Sequence, residues 1–395
     1  MSIPKGWQEV RLGDIISIKS EKYTPNKNEV KKCIELEHLE QNTGILLEYT
    51  NSNLQKSTKN VFKKGQVLFG KLRPYLKKYY LAEFDGVCSS EIWVMSGNNV
   101  LNNFLFYLVQ SDDFMNAANI SCGTKMPRAD WKYMQEITIK LPPLKEQEKI
   151  AKILSSCDEH IKNLKNLKSE LEKEKLHLMN ELLSGKTRFA NFTTPWQEVT
   201  LNDLGATYNG LSGKKAKDFE DGNSNYITYK NIFDNRVVKT SIFEKVKIND
   251  DEKQNLVKKG DVFFTTSSET PHEVGTSSVI LEECENLYLN SFCFGFRPNE
   301  SINSEYASFY FRSSIFREKL TKLAQGSTRY NLSKTEFLKI KIQLPSLEEQ
   351  KKIGEVLSVC DKRLECLNEL ITAQITLKSH LLTELLSGNI RVMND

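Results

Sequence analysis

The chain is written twice. Residues 137–188 and 340–391 align at a constant offset of 203, with 24 of 52 positions identical. The alignment pairs ITIKLPPLKEQEKIAKILSSCD (137–158) with IKIQLPSLEEQKKIGEVLSVCD (340–361), and ELLSGKTR (181–188) with ELLSGNIR (384–391). The openings match as well, WQEVRLGDI at 7–15 against WQEVTLNDL at 196–204. Val61-Phe-Lys-Lys-Gly-Gln-Val-Leu-Phe69 is echoed by Leu256-Val-Lys-Lys-Gly-Asp-Val-Phe-Phe264. Solenoid units run to about 20–50 residues, so copies of this length describe a duplicated two-part module rather than a repeat array. Each copy is a variable body followed by a similar tail: body one 1–144, tail one 145–188, body two 189–347, tail two 348–395. Similar parts should serve both copies alike, and dissimilar bodies should differ in what they bind.

The tails are the more legible half. Ile137–Leu141 and Ile340–Leu344 alternate with period two, the pattern of a strand with one buried face. Pro142-Pro143 and Pro345 end each ladder, because proline has no N–H to donate. Glu146, Glu148, Glu348 and Glu349 then fall in the first helical turn, where acids complement the dipole. Gly185 and Gly388 are expected to stop the helices. Positions 150, 154, 157, 161, 164, 168, 171, 175, 178 and 182 read Ile, Leu, Cys, Ile, Leu, Lys, Leu, Lys, Leu, Leu. The second tail repeats this from 353 as Ile, Leu, Cys, Leu, Leu, Ile, Gln, Lys, Leu, Leu. Steps of four and three make a coiled-coil seam, interrupted twice in each helix by a polar residue. A helix of roughly 40 residues is ~60 Å long. The reading is an antiparallel pair of the two tails, the alternative being two separate core helices.

The bodies predict α+β folds. Val67–Phe69 and Val262–Thr265 read as short buried strands, and Phe104–Val109 and Tyr306–Phe311 as aromatic-rich helices. No stretch approaches the ~18–20 apolar residues of a membrane span. The opening lacks a signal-peptide core, so a cytoplasmic protein without membrane partners is expected. Eight scattered cysteines without a Cys-x-x-Cys pair read as free thiols rather than zinc ligands.

Known catalytic patterns are missing. Ser184-Gly-Lys-Thr187 ends like a phosphate loop, but Asn180 stands where the earlier glycine belongs, so it reads as a helix stop. Leu141-Pro-Pro-Leu144 lacks the flanking residues of an amino-methyltransferase motif, and the second copy has Pro345-Ser346. His177 and His380 match in position but have no acidic or cysteine cluster beside them. The expectation is a chain with no catalytic residues, no metal site and no cofactor of its own.

Local signals suit DNA, although the net charge is only +4. Lys71-Leu-Arg-Pro-Tyr-Leu-Lys-Lys-Tyr-Tyr80 mixes cations, which anchor phosphates or read guanine, with tyrosines that add hydroxyls and flat surface. Gly123–Asp130 is a second basic loop, with Gly326–Ser333 in the same place in copy two. The candidates are Lys71, Arg73, Tyr75, Lys77, Lys78, Lys125 and Arg128 in body one. In body two they are Lys214, Lys215, Thr266, Ser267, Arg329, Tyr330 and Asn331. The competing reading of each is a solvated loop residue.

The duplicated layout, LPPLKEQEKIAKIL and LPSLEEQKKIGEVL, the paired long helices and the WQEV-x-L openings closely resemble the specificity subunit of type I restriction–modification enzymes. The likeness covers nearly the whole chain, and VLFGKLRPYLKKYYLAEFDGVCSSE (67–91) is similar to one recurrent version of the family's target recognition domain. The resemblance implies two pseudo-twofold-related target recognition domains joined by two long antiparallel coiled-coil helices. Each domain would read one half of an asymmetric bipartite double-stranded DNA site, with the helices as spacer. It also implies two methyltransferase subunits holding S-adenosylmethionine, and restriction subunits that use ATP and Mg. Glu146, Gln147, Glu349 and Gln350 are candidates for docking these partners or, equally, for starting the helices. The alternative is a coiled-coil adaptor that does not read DNA.

Overall fold

The computed structural model describes residues 3–120 and 126–392. The chain divides into two compact units, Met1–Lys165 with Glu369–Asp395, and Asn166–Asn368. Two continuous helices of 41 residues, Leu144–Ser184 and Leu347–Ser387, each give one half to each unit.

The two recurring motifs of the sequence are hydrogen-bonded partners. In the first unit Gln8–Arg11 pairs antiparallel with Thr138–Leu141, Gln8 opposite Leu141. In the second, Gln197–Thr200 pairs with Lys341–Leu344, Gln197 opposite Leu344. Ile139 and Ile342 turn into the cores while Thr138 and Lys341 face out, as period two requires.

Each body then builds a four-stranded antiparallel sheet. The first is ordered Ile16–Ser17, Ile92–Gly97, Val67–Gly70, Tyr79–Leu81, and the second Gly205–Asn209, Cys293–Pro298, Val262–Thr265, Ser277–Val279. Further sheets carry one parallel pair each, Lys32–Ile34 with Gly86–Cys88 and Ser224–Ile227 with Leu287–Leu289. The expected central strands are therefore present. The aromatic helices are present too, as Asn102–Leu108 and Ser304–Tyr310. Phe69 packs edge-on against Phe114 at 5.2 Å, and Phe264 against Phe311 at 5.4 Å. Ile150, Leu154 and Leu385 complete the first core; Leu182, Ile353 and Leu357 complete the second. Body and tail thus share one core within each unit, each such side chain adding about 1.5–3 kcal/mol.

All ten seam positions of each helix are buried or half-buried. In the first unit Asp158 pairs with Lys378 at 2.6 Å and Glu146 with Arg391 at 2.8 Å. Rising numbers on one helix meet falling numbers on the other, so the halves run antiparallel. The second unit repeats this with Lys175–Asp361 and Arg188–Glu349. The seam lysines Lys175 and Lys378 occupy matching positions and each meets the aspartate that opposes it, which explains two of the polar interruptions. The alternative of two unrelated core helices is excluded. Gly185 and Gly388 end the helices with φ of 72° and 76°, the left-handed stop that glycine adopts without a Cβ clash. The seven described cysteines are free, and His177 and His380 lie exposed on the helices. Cys122 lies outside the described residues.

Candidate nucleic-acid interface

Past the last ladder pair of the first unit, Gly70 opposite Ile92, the chain continues as Lys71-Leu72-Arg73. The Lys71 N–H donates to the Glu91 carbonyl at 2.9 Å, and the Ala129 N–H to the Lys71 carbonyl at 2.9 Å. Arg73 N–H donates to Pro127 O at 2.7 Å, and Leu72 stands opposite Arg128. Two loops far apart in sequence are therefore clamped together.

The second unit builds the same clamp in the same register. Past Thr265 opposite Cys293, Thr266 N–H donates to Phe292 O at 2.9 Å and Leu332 N–H to Thr266 O at 3.0 Å. Ser267 pairs with Asn331 and Ser268 with Tyr330. Lys71, Arg73 and Arg128 thus come together in one unit, and Thr266, Ser267, Tyr330 and Asn331 in the other. Arg329 is exposed beside its clamp.

In the first unit the clamp leads into a turn, Pro74–Leu76, flanked by two cations in left-handed backbone, Arg73 (φ 53°) and Lys77 (φ 48°). For a residue with a Cβ this conformation costs about 1–2 kcal/mol. It is held by Leu76 N–H to Arg73 O (2.9 Å), Lys77 N–H to Pro74 O (2.8 Å) and Asn42 N–H to Lys77 O (2.9 Å). Tyr75 at the turn's tip is 55% exposed.

Two residues at the clamps escaped the sequence reading. Glu91 accepts from Arg128, Nε at 3.1 and 3.2 Å and Nη2 at 3.0 Å, with Lys71 at 3.9 Å. The bonds from Arg128 lower the Glu91 carboxyl pKa below its ordinary value against the opposing effect of burial. Phe292 stands in the matching place of the second unit, 61% exposed. Each directly precedes a buried strand, Ile92–Gly97 or Cys293–Pro298, so a gapped alignment of the two bodies could have found them.

Other candidates lie elsewhere. The Lys214 amine is directed inward to Glu252 and the Lys247 carbonyl, its side chain only 6% exposed, which removes it from the surface cations. Lys214 in turn lowers the Glu252 pKa to about 2. Lys215 is exposed on the same loop, its N–H donating to Asp218. Lys78 is half-buried and donates to the Leu36 carbonyl. Lys125 lies outside the described residues.

The four glutamate and glutamine candidates form a duplicated latch at the helix starts. Glu146 accepts from the Trp7 indole at 2.9 Å and from Arg391 at 2.8 and 3.0 Å. Glu349 accepts from Trp196 at 3.1 Å and from Arg188 twice at 2.8 Å. Gln147 donates to Pro142 O and accepts from Leu101 N–H, each at 2.9 Å. Gln350 donates to Pro345 O (2.9 Å) and accepts from Asn303 N–H (2.8 Å). All four are buried and bonded inside their own unit, where they tie each helix start to its body and to the opposing tail.

The duplicated chain matches a known family over both of its copies. Residues 4–173 and 193–377 match the type I restriction modification DNA specificity domain. The chain belongs to that family. It is 25% identical to the type I restriction enzyme MjaVIII specificity subunit of Methanocaldococcus jannaschii, over the whole of this chain and 95% of the relative. It is 30% identical to the EcoDI specificity subunit of Escherichia coli, over 38% of this chain and 34% of that protein. Its fold is shared with the HsdS subunit from Thermoanaerobacter tengcongensis (22% identity, TM-score 0.59, 99% of both chains). It is also shared with a chain of a type I R-M system (22% identity, TM-score 0.67, 99% of this chain and 100% of the other). This specificity subunit is therefore a DNA-sequence specificity protein of a non-catalytic class, and the adaptor that reads no DNA is set aside. No helix among the described residues is long and apolar enough to cross a membrane.

Proposed function

We propose that each unit reads one half of an interrupted, asymmetric DNA site, through the loops clamped at Lys71–Arg73 with Arg128 and at Thr266–Ser267 with Asn331. The observation that carries this is the clamp itself. Two units hold the same backbone bonds in the same register and present cations in one and hydroxyls with an amide in the other. A common frame with different donors and acceptors is what two readers of different base edges require. The long helices act as the spacer between half-sites; adjacent major grooves on one face of DNA recur every ~34 Å.

The duplication also supports two copies of one partner, the methyltransferase subunit that holds S-adenosylmethionine and methylates adenine. Leu144 and Leu347 are exposed at the two helix starts, and Leu167 and Leu370 on the helix surfaces, at the constant offset of 203. Identical exposed leucines at matching positions suit two identical docking events. Restriction subunits using ATP and Mg complete the assembly, and this chain needs no cofactor of its own. The chain is cytoplasmic in this reading, where its DNA lies.

The test is methylation by the chain with its methyltransferase partner, followed by mapping of modified adenines. One bipartite site is expected, and exchanging residues 1–140 for another recognition body should change one half only. If both halves change, or neither, the assignment of one body to one half-site fails.

A further inference from the structure

One position decides what each clamp offers to DNA. Glu91 and Phe292 both lie one residue before the strand that pairs with the central strand, and both carbonyls accept the N–H of the residue after it, Lys71 or Thr266. Phe292 N–H also donates to Asn290 Oδ1 at 2.8 Å. Each side chain is thus presented from a fixed backbone origin, and contact geometry at a reading site depends on that rigidity.

In the first unit Glu91 takes the side edge of Arg128, the edge made by Nε and Nη2. A guanidinium has five N–H donors in a planar fork. On the end edge, Nη1 has no partner among the described residues, and the Arg128 side chain remains 44% exposed. That end edge is the fork that matches O6 and N7 of guanine. Glu91 therefore removes the swivel of a long side chain while leaving its reading end open. In the second unit the same place holds a ring with no hydrogen-bonding group. A lone exposed phenylalanine is ordinary on a protein surface. Phe292 differs because its position is the one that, in the sister clamp, organises the cations. The feature of a base-pair edge that suits an apolar ring is the thymine 5-methyl group.

We propose that the position shared by Glu91 and Phe292 determines specificity in each clamp: Glu91 as a positioning residue that presents Arg128 to a guanine, Phe292 as the apolar contact to a thymine methyl. This rests on the DNA-reading function proposed above.

The experiment uses the full chain with its methyltransferase partner, and duplexes carrying each base at every position of the methylated site. Glu91→Ala should lose guanine preference at one position of the half read by residues 1–140, on the order of tenfold, and leave the other half unchanged. Glu91→Gln, which keeps one acceptor for Arg128, should lose less. Combined with Arg128→Ala, Glu91→Ala should add nothing. Phe292→Ala should lose thymine preference at one position of the other half, whereas Phe292→Leu should retain part of it. Replacing that thymine by uracil, which lacks the methyl, should reproduce the loss in the unaltered protein and cost Phe292→Ala nothing further. Both residues are solvent-accessible, and an unchanged melting temperature identifies folded variants. A specific unaltered protein whose Glu91 and Phe292 variants keep their preferences would overturn this inference alone. A first half-site without a G·C pair, or a second without thymine, would overturn it equally. An unaltered protein that methylates without sequence preference would overturn the DNA-reading function itself.

Discussion

Glu146→Ala removes the acceptor at the centre of the first latch. The carboxylate is 8% exposed and accepts side-chain hydrogen bonds from Arg391, twice, and from the Trp7 indole. Truncation leaves both donors without their partner, at about 1–3 kcal/mol for each buried unsatisfied group. Arg391 is 22% exposed, so water can partly replace the lost acceptor. The sum is about 3 kcal/mol, at the lower edge of the roughly 3–5 kcal/mol for breaking a buried ion pair. At about 2–4 °C per kcal/mol for a unit of this size, the melting temperature should fall by about 6–12 °C. The sign with pH follows from the carboxyl itself. Burial raises its pKa, but bonds from Arg391 and Trp7 outweigh that and lower it below its ordinary value. A depressed folded pKa stabilises above the unfolded value of about 4.3, and that stabilisation is lost as pH falls through the folded value. The gap between the unaltered protein and Glu146→Gln should thus be full at neutral pH and close in acid. Thermal and urea unfolding of Glu146→Ala, Arg391→Ala and the double variant measure the coupling. A shift under about 2 °C, or additive single effects, would refute the latch as a source of stability.

Arg128→Ala and Arg329→Ala should each weaken binding to the cognate site by about 1–3 kcal/mol if the guanidinium reads a base; equal weakening on all sequences would show a phosphate contact instead. Gly388→Ala should destabilise more than Gly185→Ala. Both positions are left-handed, but a Cβ at 388 would lie 2.6 Å from Pro4 Cγ, whereas at 185 the nearest atom is 3.3 Å away; comparative unfolding decides, and equal losses would count against the close approach. Leu164→Lys places a charge at a 9% exposed seam position and should cost several kcal/mol of helix stability by circular dichroism. The site methylated by the partner should lose its fixed spacing in the same variant, and retained stability with retained spacing would contradict the paired seam.

The tails were legible because their signals are local and repeated. Period two at Ile137–Leu141, proline stops and a step of four and three are each a consequence of one element's own geometry. The repeat then says that Trp7 and Trp196, or Glu146 and Glu349, share a role. It does not say that the indole and the carboxylate of one unit meet, because Trp7 and Glu146 are joined only by strand pairing across the whole body. Lys214 read as a surface cation for the same reason: sequence shows a charged loop, and only folding brings Glu252 and the Lys247 carbonyl to its amine.

Duplication, the strand–proline–helix tails, the seam and its two matched lysines were determined by the sequence alone, since hydrophobic period and glycine or proline chemistry act over a few residues. The tertiary structure decided which loops become one surface. Lys71 and Arg128 meet because a central strand and a distant loop share backbone hydrogen bonds, and the same bonds bring Thr266 to Asn331. Glu91 and Phe292 become equivalent only in that frame. Neither residue resembles the other, and what they have in common is a place fixed by non-local pairing.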